Sequence, residues 1–114
     1  MKSIERAGIL KHSYIFSNLD DEDLLALADL AIDHRYMPGE FIFWDEEPPE
    51  LFYIIAEGQV KVLKHSSSGK EFIVAFFGIG EVFGEVAVFE NNPYPASAQA
   101  AGEVRIIGIS RKTS

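Results

Sequence analysis

The chain has 114 residues, 47% of them hydrophobic, and a formal net charge of −8 at pH 7. This length and apolar content predict one domain with one buried core and exclude a disordered chain. The acidic balance argues against nucleic-acid binding by this segment alone, because contacts to phosphates need clustered Lys and Arg. The chain has no cysteine, which excludes disulfides, thiolate zinc sites, iron–sulfur clusters and a cysteine nucleophile.

No apolar run approaches the roughly 20 residues of a membrane-spanning helix. The first residues, Met1-Lys2-Ser3-Ile4-Glu5-Arg6, lack the apolar centre of a signal peptide. We therefore expect a soluble, cytoplasmic protein with no membrane partner.

Residues 1 to about 36 have a helical pattern. Asp20 is a predicted helix N-cap, and the acidic run that begins there suits the positive end of a helix dipole. This interpretation of the acidic run is favoured over a metal site. Helical spacing is carried by Leu24, Leu27, Ala28 and Ala31. A shorter helix and turn on the same core are predicted from Ile9, Leu10, Ile15, Phe16 and Leu19.

Pro38-Gly39 ends the helical pattern, and short apolar segments separated by turn residues follow. The predicted strands are Glu40–Trp44, Leu51–Glu57, Gln59–His65, Glu71–Phe77, Phe83–Ala87, Ala96–Ala100 and Val104–Ser110. This spacing predicts a mainly β fold with flanking helices, closed into a double-stranded β-helix, or jelly roll. The predicted organisation is a helical segment over 1–36 packed on the roll, a β-roll over 37–110 and a tail over 111–114.

Glycine, carboxylate and small residues are concentrated between Gly78 and Ala100. Phe83-Gly84-Glu85-Val86-Ala87 places a flexible glycine beside a carboxylate, and Ala96-Ser97-Ala98 follows about ten positions later. Glycine lets the backbone approach a ligand closely and direct its N–H towards an anion. A carboxylate accepts hydrogen bonds from sugar hydroxyls. This pattern predicts a site for a phosphate and a ribose.

Several glycine-centred motifs occur in a characteristic order. They are Pro38-Gly39-Glu40-Phe41-Ile42, Phe52 to Val62 with Glu57-Gly58, Gly69-Lys70-Glu71, and Gly78-x-Gly80-Glu81-x-Phe83-Gly84-Glu85. Together they resemble the cyclic-nucleotide-binding-like sensory domain of Crp/Fnr-type transcription regulators. The resemblance implies a small-molecule effector and allosteric transmission of its binding to a DNA-binding domain.

A complete regulator of this family would continue beyond Ser110 with a long dimer helix and a helix-turn-helix domain. The resemblance therefore implies a homodimer in the intact protein and DNA contact only through a C-terminal domain that is absent here. A stand-alone binding module is the alternative. Pairing of isolated copies through an exposed apolar face such as Ile4, Ile9 and Leu10 is a further expectation.

Members that bind cyclic nucleotides carry Arg, then Ser or Thr, then Ala after the Phe-Gly-Glu motif, and the Arg neutralises the phosphate. Aligning that Ala with Ala96 places Tyr94 at the Arg position and Pro95 at the Ser/Thr position. Proline also lacks an N–H. The resemblance therefore implies weak or absent binding of cAMP and cGMP by the usual mode. A structural role of Glu85 is favoured over contact with a ribose. The predicted ligand-binding residues are Phe83, Gly84, Glu85, Val86, Tyr94, Pro95, Ala96 and Ser97.

The effector stays open between a cyclic nucleotide, haem and another small molecule. Haem needs axial ligands, and His12, His34 and His65 lie in no diagnostic motif, so surface or capping roles are favoured for all three. A cupin-like metalloenzyme also has this fold, but the chain has no His-x-His pair. No catalytic group or nucleotide loop is recognisable. We expect neither enzyme activity nor a metal site.

Overall fold

The computed structural model describes residues 1–110, which form three helices and eight strands. The helices are α1 (Ser3–Lys11), α2 (Asp21–Leu30) and α3 (Glu85–Glu90). The strands are β1 (Ile32–Tyr36), β2 (Phe41–Phe43), β3 (Leu51–Glu57), β4 (Val60–His65), β5 (Glu71–Phe77), β6 (Val82–Phe83), β7 (Ser97–Ala100) and β8 (Val104–Ser110). The predicted tail over 111–114 lies outside the described residues. Among residues 1–110, no helix is long and apolar enough to cross a membrane.

The strands form two antiparallel four-stranded sheets. Their strand orders are β1-β8-β3-β6 and β2-β7-β4-β5. Neighbouring strands in each sheet are mostly distant in sequence, as in a jelly roll. The predicted mainly β roll with flanking helices is confirmed.

Strand β3 separates two apolar clusters, because alternate side chains of a strand point to opposite faces. Phe52 and Ile54 pack with residues of α1 and α2 in one cluster. Tyr53 and Ile55 belong to the second cluster, which lies between the two sheets. The helices therefore cover the outer face of the first sheet. Leu10 is fully buried there, so the expected exposed face of Ile4, Ile9 and Leu10 is wrong for Leu10.

The helical prediction is correct for α2 but extends too far. The Asp20 carboxylate accepts a hydrogen bond from the Asp23 N–H at 2.9 Å, which confirms the predicted cap. Ala31 is already extended, and Ile32–Tyr36 is strand β1 rather than helix. The strand forms because it supplies the edge partner of β8, and Asp33 is bound there by both nitrogens of the Arg105 fork at 3.1 Å.

Six of the seven predicted strands are present to within one residue at each end. The hairpin of β4 and β5 contains a register shift between Val62 and Leu63, which explains its imperfect apolar alternation. The seventh prediction, a strand over Phe83–Ala87, is wrong. Strand β6 ends at Phe83 and α3 begins at Glu85.

Candidate functional site

The change from strand to helix occurs at Gly84. Its backbone is left-handed, with φ of 83°, a conformation that glycine adopts without a steric cost. A Cβ at this position would lie 3.4 Å from the Phe43 ring and 3.5 Å from the Tyr94 ring. Asn91, with φ of 56°, ends the short helix. The glycine predicted as a ligand contact therefore also has a structural role, because it lets the chain turn against two aromatic rings.

A cavity of about 180 Å³ lies beside the start of α3. It is lined by Phe43, Val62, Phe77, Phe83, Gly84, Glu85, Val86, Ala87, Tyr94, Pro95 and Ala96. Seven of the eight predicted site residues are thus brought together around one space. Ser97 is not among them: it is buried, and its hydroxyl accepts a hydrogen bond from the Asp45 N–H at 2.9 Å. Ligand binding by these residues stays a prediction.

The position expected to hold a phosphate-binding cation is occupied by a constrained tyrosine. Tyr94 is buried, and its ring stacks on Phe43 with centroids 3.7 Å apart and planes 9° apart. Its hydroxyl donates to the Leu51 carbonyl and accepts from the Leu51 N–H at 3.3 Å. Burial raises the pKa of the Tyr94 hydroxyl, so the group is neutral at physiological pH. These two hydrogen bonds hold the Tyr94 side chain against strand β3.

Glu85 is the one charged residue among the eleven that line the cavity. Burial raises the pKa of its carboxyl, and hydrogen bonds from the N–H groups of Glu85 and Val86 and from the Tyr14 hydroxyl partly oppose that rise. In turn, desolvation and the nearby Glu85 carboxylate raise the pKa of Tyr14. The cavity therefore presents a hydrogen-bond acceptor and no cation.

None of the three histidines lines the cavity. His34 lies in β1, where it stacks on Tyr36, so it does not cap a helix. The Nε2 atom of His65 lies 3.5 Å from the Oε2 atom of Glu71 across the β4–β5 hairpin. The lining thus contains no histidine, and the hydroxyl of its one tyrosine is bonded to Leu51, so it offers no free axial ligand for haem. Within residues 1–110, no group of three or more His, Cys, Asp or Glu residues could hold a metal ion.

Three residues from strands distant in sequence line the cavity and were not predicted from the sequence. Phe43, Val62 and Phe77 come from β2, β4 and β5. Local motifs carry no signal for these residues, because they reach the site through pairing of strands that are distant in sequence.

Comparisons with known proteins agree with this architecture. A family model for the cyclic nucleotide-binding domain matches residues 33–113. The chain is 29% identical over 103 residues to a CRP-like cAMP-activated global transcriptional regulator of Mycobacterium tuberculosis, covering 90% of this chain and 46% of the relative. The chain thus spans about half the length of that curated relative.

Two solved structures are similar over nearly the whole chain. The N-terminal domain of a transcriptional regulator from Streptomyces coelicolor is 28% identical, with a TM-score of 0.84 and coverage of 92% of this chain and 73% of that one. The regulatory subunit of a cAMP-independent protein kinase A from Trypanosoma brucei is 31% identical, with a TM-score of 0.84 and coverage of 96% and 42%. The chain belongs to the cyclic nucleotide-binding domain family.

Proposed function

We propose that this chain is the effector-sensing domain of a Crp/Fnr-type transcription regulator, and that its effector binds in the cavity beside α3. The domain performs no chemistry itself. In the intact cytoplasmic protein, a homodimer, effector binding biases two arrangements of a DNA-binding domain that follows this segment. The relation to a CRP-like regulator and to a regulator's N-terminal domain supports this role.

We further propose that cAMP and cGMP do not bind this domain through the phosphate contacts usual in the family. The observation that carries this proposal is the double engagement of Tyr94 with Phe43 and Leu51 at the position of the phosphate-binding arginine. A phosphate transferred into an apolar cavity without a cation loses hydration that hydrogen bonds repay only in part. The similarity to a regulatory subunit described as cAMP-independent is consistent with a retained fold and a changed effector.

Calorimetric titration of the purified chain with cAMP tests this proposal. We expect no heat of binding at millimolar cAMP. The titration is repeated with Glu85→Ala, which removes the one charged group in the cavity lining. A visible spectrum recorded before the titration checks for bound haem.

Micromolar binding of cAMP that Glu85→Ala abolishes would contradict the second proposal. It would mean that the cavity holds a cyclic phosphate without an arginine. The sensory role would then survive with the usual effector of the family.

A further inference from the structure

We infer that the cavity beside α3 takes an uncharged, hydroxyl-bearing ligand of nucleoside type, with a ligand hydroxyl bound to Glu85 and its ring against the aromatic and aliphatic wall. This inference rests on the proposed sensory function, because it names the ligand class of the same cavity.

The cavity lining contains a carboxylate and no cation to balance a ligand phosphate. Glu85 is the only ionisable carboxylate in the lining, and Lys61, Lys64 and Lys70 do not line it. A ligand phosphate would therefore face a like charge in a partly desolvated space, where Coulomb interactions are stronger than in water. An uncharged ligand does not meet this repulsion.

Glu85 can still accept a hydrogen bond from a ligand. An ionised carboxylate offers about four lone-pair positions. The N–H groups of Glu85 and Val86 and the Tyr14 hydroxyl account for three donors to this group. A hydroxyl bound to a carboxylate forms a charge-assisted hydrogen bond, which is stronger than one between neutral groups. The motif carboxylate that suits a ribose hydroxyl is thus available, whereas no cation that suits a phosphate lines the cavity.

The rest of the lining suits a flat, apolar ring. Phe77 and Phe83 form an aromatic wall whose ring centroids are 6.1 Å apart, and Val62 and Pro95 add aliphatic surface. Pro95 has no N–H, the Tyr94 N–H donates to the Glu47 carbonyl, and the Tyr94 hydroxyl donates to the Leu51 carbonyl, so neither residue offers a donor for phosphate oxygens. The volume of about 180 Å³ lies below the ~300–1,000 Å³ of typical ligand pockets. A nucleoside is smaller than the nucleotide by its phosphate, which suits this space better.

Adenosine and cAMP are suitable probes, because they share a base and a ribose and differ in the charged cyclic phosphate. Calorimetric titration of the wild-type chain is expected to show heat of adenosine binding at concentrations where cAMP gives none, with adenosine binding at least about tenfold tighter than cAMP, a difference of at least about 1.4 kcal/mol.

Two variants at one position isolate the contribution of charge. Val86 lines the cavity and is 60% exposed, so a longer side chain can be placed at its mouth without entering the core. Val86→Arg supplies a cation, and Val86→Gln is the matched variant of similar length without charge. We expect the ratio of cAMP affinity to adenosine affinity to be about tenfold higher in Val86→Arg than in Val86→Gln.

Wild-type binding of cAMP as tight as that of adenosine would overturn the inferred ligand class and leave the sensory function intact. Absence of adenosine binding at millimolar concentration would overturn the class as well. The sensory function would fall with it only if Val86→Arg also failed to bind cAMP, since that variant tests the cavity rather than the ligand. Equal affinity ratios in the two variants would show that charge at the cavity mouth does not control selection, which also contradicts the inference.

Discussion

Tyr94→Phe tests whether the tyrosine at the position where the family resemblance implies an arginine is held by strand β3. The substitution keeps the ring that stacks on Phe43 and removes only the hydroxyl that bonds Leu51. It leaves a part-buried carbonyl without its donor, which costs about 1–3 kcal/mol of unfolding free energy. The bond to the Leu51 N–H, at 3.3 Å, is long and adds little. We expect a loss of about 2 kcal/mol, or a fall in Tm of roughly 5–10 °C for a chain of this size.

Urea denaturation followed by far-UV circular dichroism measures this loss. Tyr36→Phe is the matched control, because Tyr36 is also partly buried and its hydroxyl has no hydrogen-bond partner among residues 1–110. Phe43→Leu, which removes the stacked ring and keeps the hydroxyl bond, should also destabilise the domain. If Tyr94→Phe costs no more than Tyr36→Phe, the hydroxyl does not fix the side chain, and Tyr94 is free to turn towards a ligand.

Three further predictions have defined outcomes. Burial would raise the pKa of Asp33, but hydrogen bonds and charge from Arg105 and the N-terminal ammonium outweigh burial, and the pKa of Asp33 is lowered. The stability that Asp33 contributes is therefore present above about pH 3.9 and is lost as pH falls further. Asp33→Asn should therefore lower the free energy of unfolding by about 1–2 kcal/mol near neutral pH. The free energies of unfolding of the two proteins should converge as the pH is lowered. Burial raises the pKa of Glu85, so the stability that this residue contributes when protonated is lost as pH rises above about 4.3. The free energy of unfolding of Glu85→Gln should therefore rise relative to that of the wild type between acidic and neutral pH. A difference between the two proteins that does not change with pH would refute this. Gly58→Ala should cost at least about 2 kcal/mol in a urea titration, since φ is 88° and a Cβ would overlap a backbone carbonyl; Gly69→Ala, with similar φ and open space, should cost clearly less.

The parts of the fold predicted correctly are those with strong local signals. Helix α2 has an N-cap and a regular apolar period, and most strands are short apolar segments bounded by Gly, Pro or Ser. Strand β1 was missed because it follows α2 with no Gly or Pro between them. Its sequence, Ile32-Asp33-His34-Arg35-Tyr36, is mostly polar, as befits an edge strand, and it becomes a strand through pairing with β8.

Helix α3 was mistaken for a strand for a different reason. It has six residues, too few to display a helical period, and Val86, Val88 and Phe89 have high strand propensity. The helix is set by the left-handed backbone at Gly84 and by burial of Ala87 and Val88.

The site was predictable only where it is local in sequence. Two segments, around Glu85 and around Ala96, were correctly expected to lie together at one cavity. Tyr94 is hydrogen-bonded to Leu51, 43 positions away, and such a contact depends on how strand β3 and the segment between α3 and β7 come together in the fold. The family resemblance implies that an arginine is missing, whereas the structure shows what Tyr94 contacts.

An amide chemical-shift map of the ¹⁵N-labelled chain, titrated with adenosine, tests most directly that the effector cavity lies beside α3. We expect shifts concentrated at Gly84 to Ala87, at Tyr94 and at Ala96, with smaller shifts at Val62 and Phe77 across the cavity. Shifts concentrated instead at a second depression, which is lined by Ile9 and His12 on one side and by Ile79, Gly80 and Glu81 on the other, would contradict it.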